Sequence, residues 1–231
     1  HLTMYDPKTG KFTLVRTCFT THHLNFTRDG KDRLWVSSGG PTPGAIGWLD
    51  TKVLEETGDE QKAQGWTPVV LDTSGDGKRG AYVEPDQPIV AGKDKRFVAG
   101  LYGVSVNPKD GTLWGTTLGF PGAIVRLVPG DDPAHTALAE LFEPPFDDAI
   151  GAGSGFSPRG FDITSEGVAW VPLASGHMAS FDRSKCKGPL NGPAATGKHC
   201  PEGWTLYPLP GPQFRDVKGS GSAEASYYSW V

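Results

Sequence analysis

His22, Tyr102 and Arg159 differ in chemistry but hold the same place in a pattern that the chain repeats. Each stands just before an alternating apolar stretch, which leads through a polar turn to a second stretch carrying Trp35, Trp114 or Trp170. Brought to one rim, a guanidinium offers a forked donor to an oxyanion, while imidazole and phenol can exchange protons. Such a trio suits an anion or a polarised carbonyl; the plainer alternative is a solvated rim whose polar residues simply vary. His23 takes the place held by Gly103 and Gly160 in the other copies, so a side chain is tolerated or used there. Adjacent residues of a strand point to opposite faces, which argues against His22 and His23 sharing one ion. His177, in Ser175-Gly176-His177 after the third Trp strand, is the partner expected for His22 if the rim is catalytic. The alternative for His177 is a hydrogen-bonded loop histidine. Ser38 and Ser175 lack the strand-turn-helix context of a nucleophile elbow.

A second constellation is Asp72-Thr73-Ser74-Gly75-Asp76-Gly77-Lys78. Oxygen side chains at alternate places followed by Gly resemble the first half of a calcium loop. Asp72, Ser74 and Asp76, with the Lys78 carbonyl, would supply hard oxygens to a structural Ca²⁺. The closing carboxylate, Glu84, comes one residue late, and a solvated Asp/Gly turn is the alternative. Cys186 and Cys200 bracket a Gly/Pro-rich excursion between two strand-like segments, which predicts a disulfide and an oxidising compartment. Cys18 is expected to be a buried small hydrophobe.

These residues need a scaffold, and the repeat supplies one. Each Trp strand is followed by a third strand (46–50, 123–127, 177–182) and a fourth (66–71, 137–142, 204–209). Turn chemistry at Asp29-Gly30, Asp110-Gly111 and Glu166-Gly167 separates the first two strands of each copy. Four antiparallel strands per copy make one blade of a β-propeller. The chain is therefore expected to be all-β: a half blade over 1–16, blades over 17–90, 91–150 and 151–215, and the start of another over 216–231. About three and a half blades leave unpaired edges, which predicts closure into a six- or seven-bladed disc by a longer chain or a partner chain. The stretch Lys52–Gln64 is nearly all polar and is expected to be a loop or a short solvated helix.

Composition agrees with many short strands: 32 Gly and 20 Pro stand against 37% hydrophobic residues. A net charge of −4 with dispersed basic residues argues against a nucleic-acid partner. No apolar run approaches the roughly 18 residues of a membrane span.

The motif of a His-Gly pair, a Gly-x-x-Trp strand and a Tyr-Asp-Pro-x-Thr-Gly turn falls here on His22-His23, Tyr102-Gly103, Arg159-Gly160, the three Trp strands and Tyr5-Asp6-Pro7-Lys8-Thr9-Gly10. At the level of the blade it covers most of the chain and resembles the streptogramin (virginiamycin B) lyase-type propellers. That resemblance implies a seven-bladed disc common in secreted bacterial proteins. It also implies Mg²⁺ on one face, with histidine and glutamate doing the chemistry. The leading expectation is a ligand-binding module of a secreted or periplasmic bacterial protein, with a small or polymeric polar or anionic ligand at the axial rim. A metal-dependent lyase or hydrolase and a non-catalytic interaction scaffold are the rivals.

Overall fold

Alternation of apolar side chains, period two, is the reason these segments become strands, and in the second unit it is carried on both faces. In a computed structural model, which describes residues 1–27, 32–39, 44–146, 155–216 and 220–231, the unit comprises β9 (Val104–Val106), β10 (Leu113–Thr117), β11 (Ala123–Val128) and β12 (Leu138–Phe142), each antiparallel to the next. Leu113, Val125, Leu127 and Leu141 point into one cluster, whereas Trp114, Ile124 and Phe142 point into another. A strand buried on both sides must alternate between two cores, and here each core belongs to a boundary between units.

The first unit repeats the plan with β3 (Leu24–Phe26), β4 (Arg33–Val36), β5 (Ala45–Asp50) and β6 (Gln64–Leu71). Its Trp35, Ile46, Trp48 and Val69 meet the second unit, while Leu34, Val36 and Leu49 face the other way. There they pack on Leu2 and Val15 of a hairpin, β1 (Leu2–Asp6) with β2 (Lys11–Val15). The hairpin turn is closed by Asp6, whose carboxylate accepts from the Lys8 amide and the Thr9 hydroxyl at 2.8 Å each. The third unit is β13 (Asp162–Ile163), β14 (Ala169–Leu173), β15 (His177–Phe181) and β16 (Trp204–Pro208). Phe161, Val171 and Phe181 complete the boundary with Trp114 and Phe142. Trp170, on the opposite face, stacks on Tyr207 with centroids 5.6 Å apart.

Three antiparallel four-stranded units packed face to face agree with the all-β repeat read from the sequence. The Asp29-Gly30 turn lies outside the described residues. Two details depart from four strands per unit. Between the first and second units the chain adds β7 (Tyr82–Val83) and β8 (Asp94–Phe97), and β8 pairs with the outer edge of β6. β12 also meets β6 at Ala139 and Leu71, so the first two units share one ten-stranded sheet. The polar stretch after β5 begins as a short helix, α1 (Thr51–Thr57), whose first turn is capped by Asp50. Among the described residues no helix is long and apolar enough to cross a membrane.

Candidate functional site

The rim is built by the repeat itself. In the first unit Ser37 follows Trp35 by two places, and in the second Thr116 follows Trp114 by two. Both hydroxyls are fully buried. Ser37 Oγ accepts from the His23 amide at 3.0 Å and donates to the Tyr102 carbonyl at 3.1 Å. Thr116 Oγ1 does the same one unit on, accepting from the Gly103 amide at 3.1 Å and donating to the Arg159 carbonyl at 2.7 Å. One hydroxyl thus ties the inner strand of its own unit to the rim residue of the next. Backbone bonds from Ser38 and Gly39 to the carbonyls of Gly100 and Leu101 reinforce the first junction.

Held this way, the rim residues form a contiguous cluster. The rings of His22 and Tyr102 lie 4.9 Å apart, His23 and Tyr102 5.4 Å, and His22 and His23 4.2 Å edge to face. Sequence reading missed two members, Tyr227 and Tyr228. Residue Tyr228 pairs in parallel with Gly160, which sets it in register with the strand starts of the three units. Its hydroxyl donates to the Tyr102 hydroxyl at 2.9 Å and lies 2.6 Å from His23 Nε2. A phenol has one proton, so the imidazole is the donor in that second bond. Tyr227 sits 5.8 Å from Tyr102, ring to ring, and the Arg159 guanidinium lies over its face at 5.2 Å. The signal for Tyr227 and Tyr228 was the repeat phase: they occupy the places of Arg159 and Gly160 in the next copy. The hydroxyl two residues after Trp could have marked Ser37 and Thr116.

Electrostatics follow from this packing. Burial lowers the His23 pKa, and the neighbouring His22 lowers it further. Burial raises the Tyr102 phenol, and the hydrogen bond to Tyr102 raises Tyr227. Arg159 is half-buried and has no carboxylate partner among the described residues, where the ion pairs lie elsewhere. The cluster of His22, His23, Tyr102, Tyr227, Tyr228 and Arg159 therefore holds a guanidinium, imidazoles and phenols, with no carboxylate of its own. That set does not fit Mg²⁺, which asks for carboxylate and water oxygens and is repelled by a guanidinium.

His177 is not brought to this cluster. It is buried at the start of β15, with Nδ1 3.0 Å from the Ser175 hydroxyl, and burial lowers its pKa. Its contacts are those of a hydrogen-bonded strand histidine, set opposite Leu173 and Pro208 in the sheet, and none of them is to His22.

The 72–78 turn is folded around its own carboxylate. Asp72 is buried; its Oδ1 accepts from Ser74 Oγ at 3.1 Å and the Gly75 amide at 2.7 Å, and its Oδ2 from the Gly77 amide at 2.9 Å and Asn191 Nδ2 at 3.1 Å. Asp76 accepts from the amide of Lys78 at 2.8 Å, and Glu84 pairs with Arg96 at 2.7 Å. Amide and hydroxyl donors aimed at Asp72 occupy the lone pairs a cation would need, so these residues do not fit Ca²⁺ in this arrangement. Among the described residues no group of three or more His, Cys, Asp or Glu is placed to hold a metal ion. The bond expected between Cys186 and Cys200 is present, whereas Cys18 is exposed and not buried as expected, because the segment that carries it runs over the surface with its amide bonded to the Gln64 side chain.

Fold and rim together define a propeller-type stack of blades with a polar and aromatic axial cluster. No protein-family model matches the sequence, and no curated protein is similar to it. Among solved structures, regucalcin from Agrobacterium tumefaciens, described as a calcium-binding protein, is similar over 91% of this chain and 68% of its own, at 16% identity and a TM-score of 0.32. A luciferin-regenerating enzyme is similar over 84% of this chain and 78% of its own, at 10% identity and a TM-score of 0.31. Neither likeness bears on the chemistry of the rim.

Proposed function

We propose that the chain is a ligand-binding β-propeller module whose axial rim recognises an anionic group. One observation carries this reading: the half-buried Arg159 guanidinium lies over Tyr227 with no carboxylate partner among the described residues. A cation withdrawn from water without a counter-ion is costly, and an oxyanion arriving at its fork relieves that cost. The Tyr227 and Tyr102 phenols, both within reach of its charge, stand beside it as further hydrogen-bonding groups. The disulfide supports a secreted or periplasmic setting. Further blades, from a longer chain or a partner, would cover the exposed Phe12 and Leu14 of the hairpin at one end and the Trp170–Tyr207 stack at the other.

The test is a titration with acetate and inorganic phosphate followed by amide chemical shifts. Binding should centre on residues 102, 159 and 227, and Arg159→Gln should weaken it about tenfold or more, as expected for a lost charge-assisted bond. Equal binding by Arg159→Gln would overturn the reading.

A further inference from the structure

Beside the rim lies a cavity of about 350 Å³, walled by Gly39, Phe97–Tyr102 and Thr117–Gly119. Its side chains are Phe97, Val98, Ala99, Leu101 and Leu118, with Thr117 and the edge of Tyr102 as the polar exceptions. The Thr117 hydroxyl is already engaged by the Ala123 amide at 2.8 Å. None of these residues is charged, so the cavity offers apolar contact and little else.

Two covalent neighbours join this cavity to the anion site. Tyr102 forms a wall of the cavity and also faces His22, His23 and Tyr227. Thr116, which fixes the Arg159 carbonyl, is followed directly by Thr117 in the cavity wall. Both walls are held in set conformations. Leu101 adopts a left-handed φ of 54° while packing its side chain over Gly115, and Ser157, at φ 53°, donates to the Leu118 carbonyl at 2.7 Å. Such backbone is retained where the surroundings over-determine it, which keeps the cavity formed before a ligand arrives. Apolar surface continues past Gly119, where Phe120 is 68% exposed with Phe146 and Phe156 at 4.6 and 5.2 Å.

We propose that the rim and this cavity form one composite site for an amphipathic anion: a carboxylate or similar oxyanion at Arg159, carrying an apolar chain or ring that enters the cavity past Tyr102. The inference rests on the anionic reading of the rim and adds the second half of the ligand. An anion alone would leave the cavity unused, and an uncharged apolar molecule would bring the guanidinium no counter-ion.

A homologous series tests it: acetate, butanoate and hexanoate against the matching alcohols, titrated into the intact chain and followed by amide chemical shifts. The dissociation constant should fall about fourfold for each methylene buried. The alcohols should bind far more weakly than the acids. Gly119 borders the cavity, lacks a left-handed φ, and a Cβ added there meets no atom within 4 Å. Gly119→Phe should therefore fold normally, weaken hexanoate and leave acetate unchanged. Carboxylates that bind with no dependence on length would overturn the composite site and leave the anion site standing. Alcohols that bind as tightly as acids, or no binding by any acid, would overturn both readings.

Discussion

At Gly160 the absence of a side chain decides what the axis can be. A Cβ there would lie 1.9 Å from the Tyr228 ring, so only glycine lets that ring cross toward His23. Gly103, in the same place one unit earlier, is nearly as confined, with Phe161, Gly160 and Thr116 3.1 to 3.3 Å from a notional Cβ. His23 fills the equivalent place in the first unit, and the imidazole and phenol meet because the two intervening places are bare. Burial has a price at this scale. His23, His177 and His199 all have pKa values lowered first by desolvation from the ordinary 6.5. A histidine depressed in the fold binds fewer protons than in the unfolded chain, so stability is full above the unfolded value and falls as pH drops below about 6.5. Glu143, raised by burial, acts in the opposite sense: its stabilisation is present at acid pH and lost as pH rises through its folded value. The three histidines titrate in this window, so the denaturation midpoint should decline between about pH 6.5 and pH 5, where unperturbed histidines titrate. A flat profile through that window would contradict this packing of the imidazoles.

Among the connecting elements, the turn after β6 shows how one carboxylate can organise a loop. Asp72 gathers donors from Ser74, Gly75, Gly77 and, far along the chain, Asn191. Asp94, also buried, accepts from the Ser74 and Gly80 amides at 3.3 and 2.8 Å and draws the other side of the loop inward. Charge-assisted bonds of this kind contribute more than neutral ones. Asp72→Asn replaces one acceptor oxygen by a donor facing other donors, and should cost about 2 kcal/mol in chemical denaturation. The loss should be the same with excess Ca²⁺ as with a chelator, because the donors aimed at the carboxylate are the chain's own. A loss confined to the calcium-loaded protein would restore the calcium loop.

For the molecule as a whole, the units hold together through shared cores and through one long-range tie. The excursion closed by Cys186 and Cys200 reaches back to the first unit, where the Gly192 amide donates to the Asp72 carbonyl at 2.7 Å beside the Asn191 contact. Closing a loop of 14-residue separation removes unfolded-state freedom corresponding to about 3 kcal/mol. Replacing both cysteines by serine should lower stability by about that amount. It should also speed amide exchange at Gly75 and Gly77, whose acceptor Asp72 the excursion helps to position. Lower stability without faster exchange at those amides would show that the loop does not brace the turn.

The period-two pattern, the turn residues and the recurring Trp were enough to delimit all twelve strands of the three units and the amino-terminal hairpin, because these are local properties that a repeated sequence states several times. The disulfide was legible for a similar reason, since its cysteines flank one loop. The equivalent places of His22, Tyr102 and Arg159 in the repeat were legible from its phase alone. Their meeting with Tyr227 and Tyr228, the exclusion of His177, and the apolar cavity beside Tyr102 were decided only in three dimensions. Those depend on how neighbouring units pack across the axis, on which glycine leaves room for which ring, and on bonds between residues as distant as His23 and Tyr228. The 72–78 turn shows the limit most plainly: oxygens at alternate places read alike whether they will surround a cation or be surrounded by amides, and the contact from Asn191 to Asp72 comes only from the tertiary path of a distant loop.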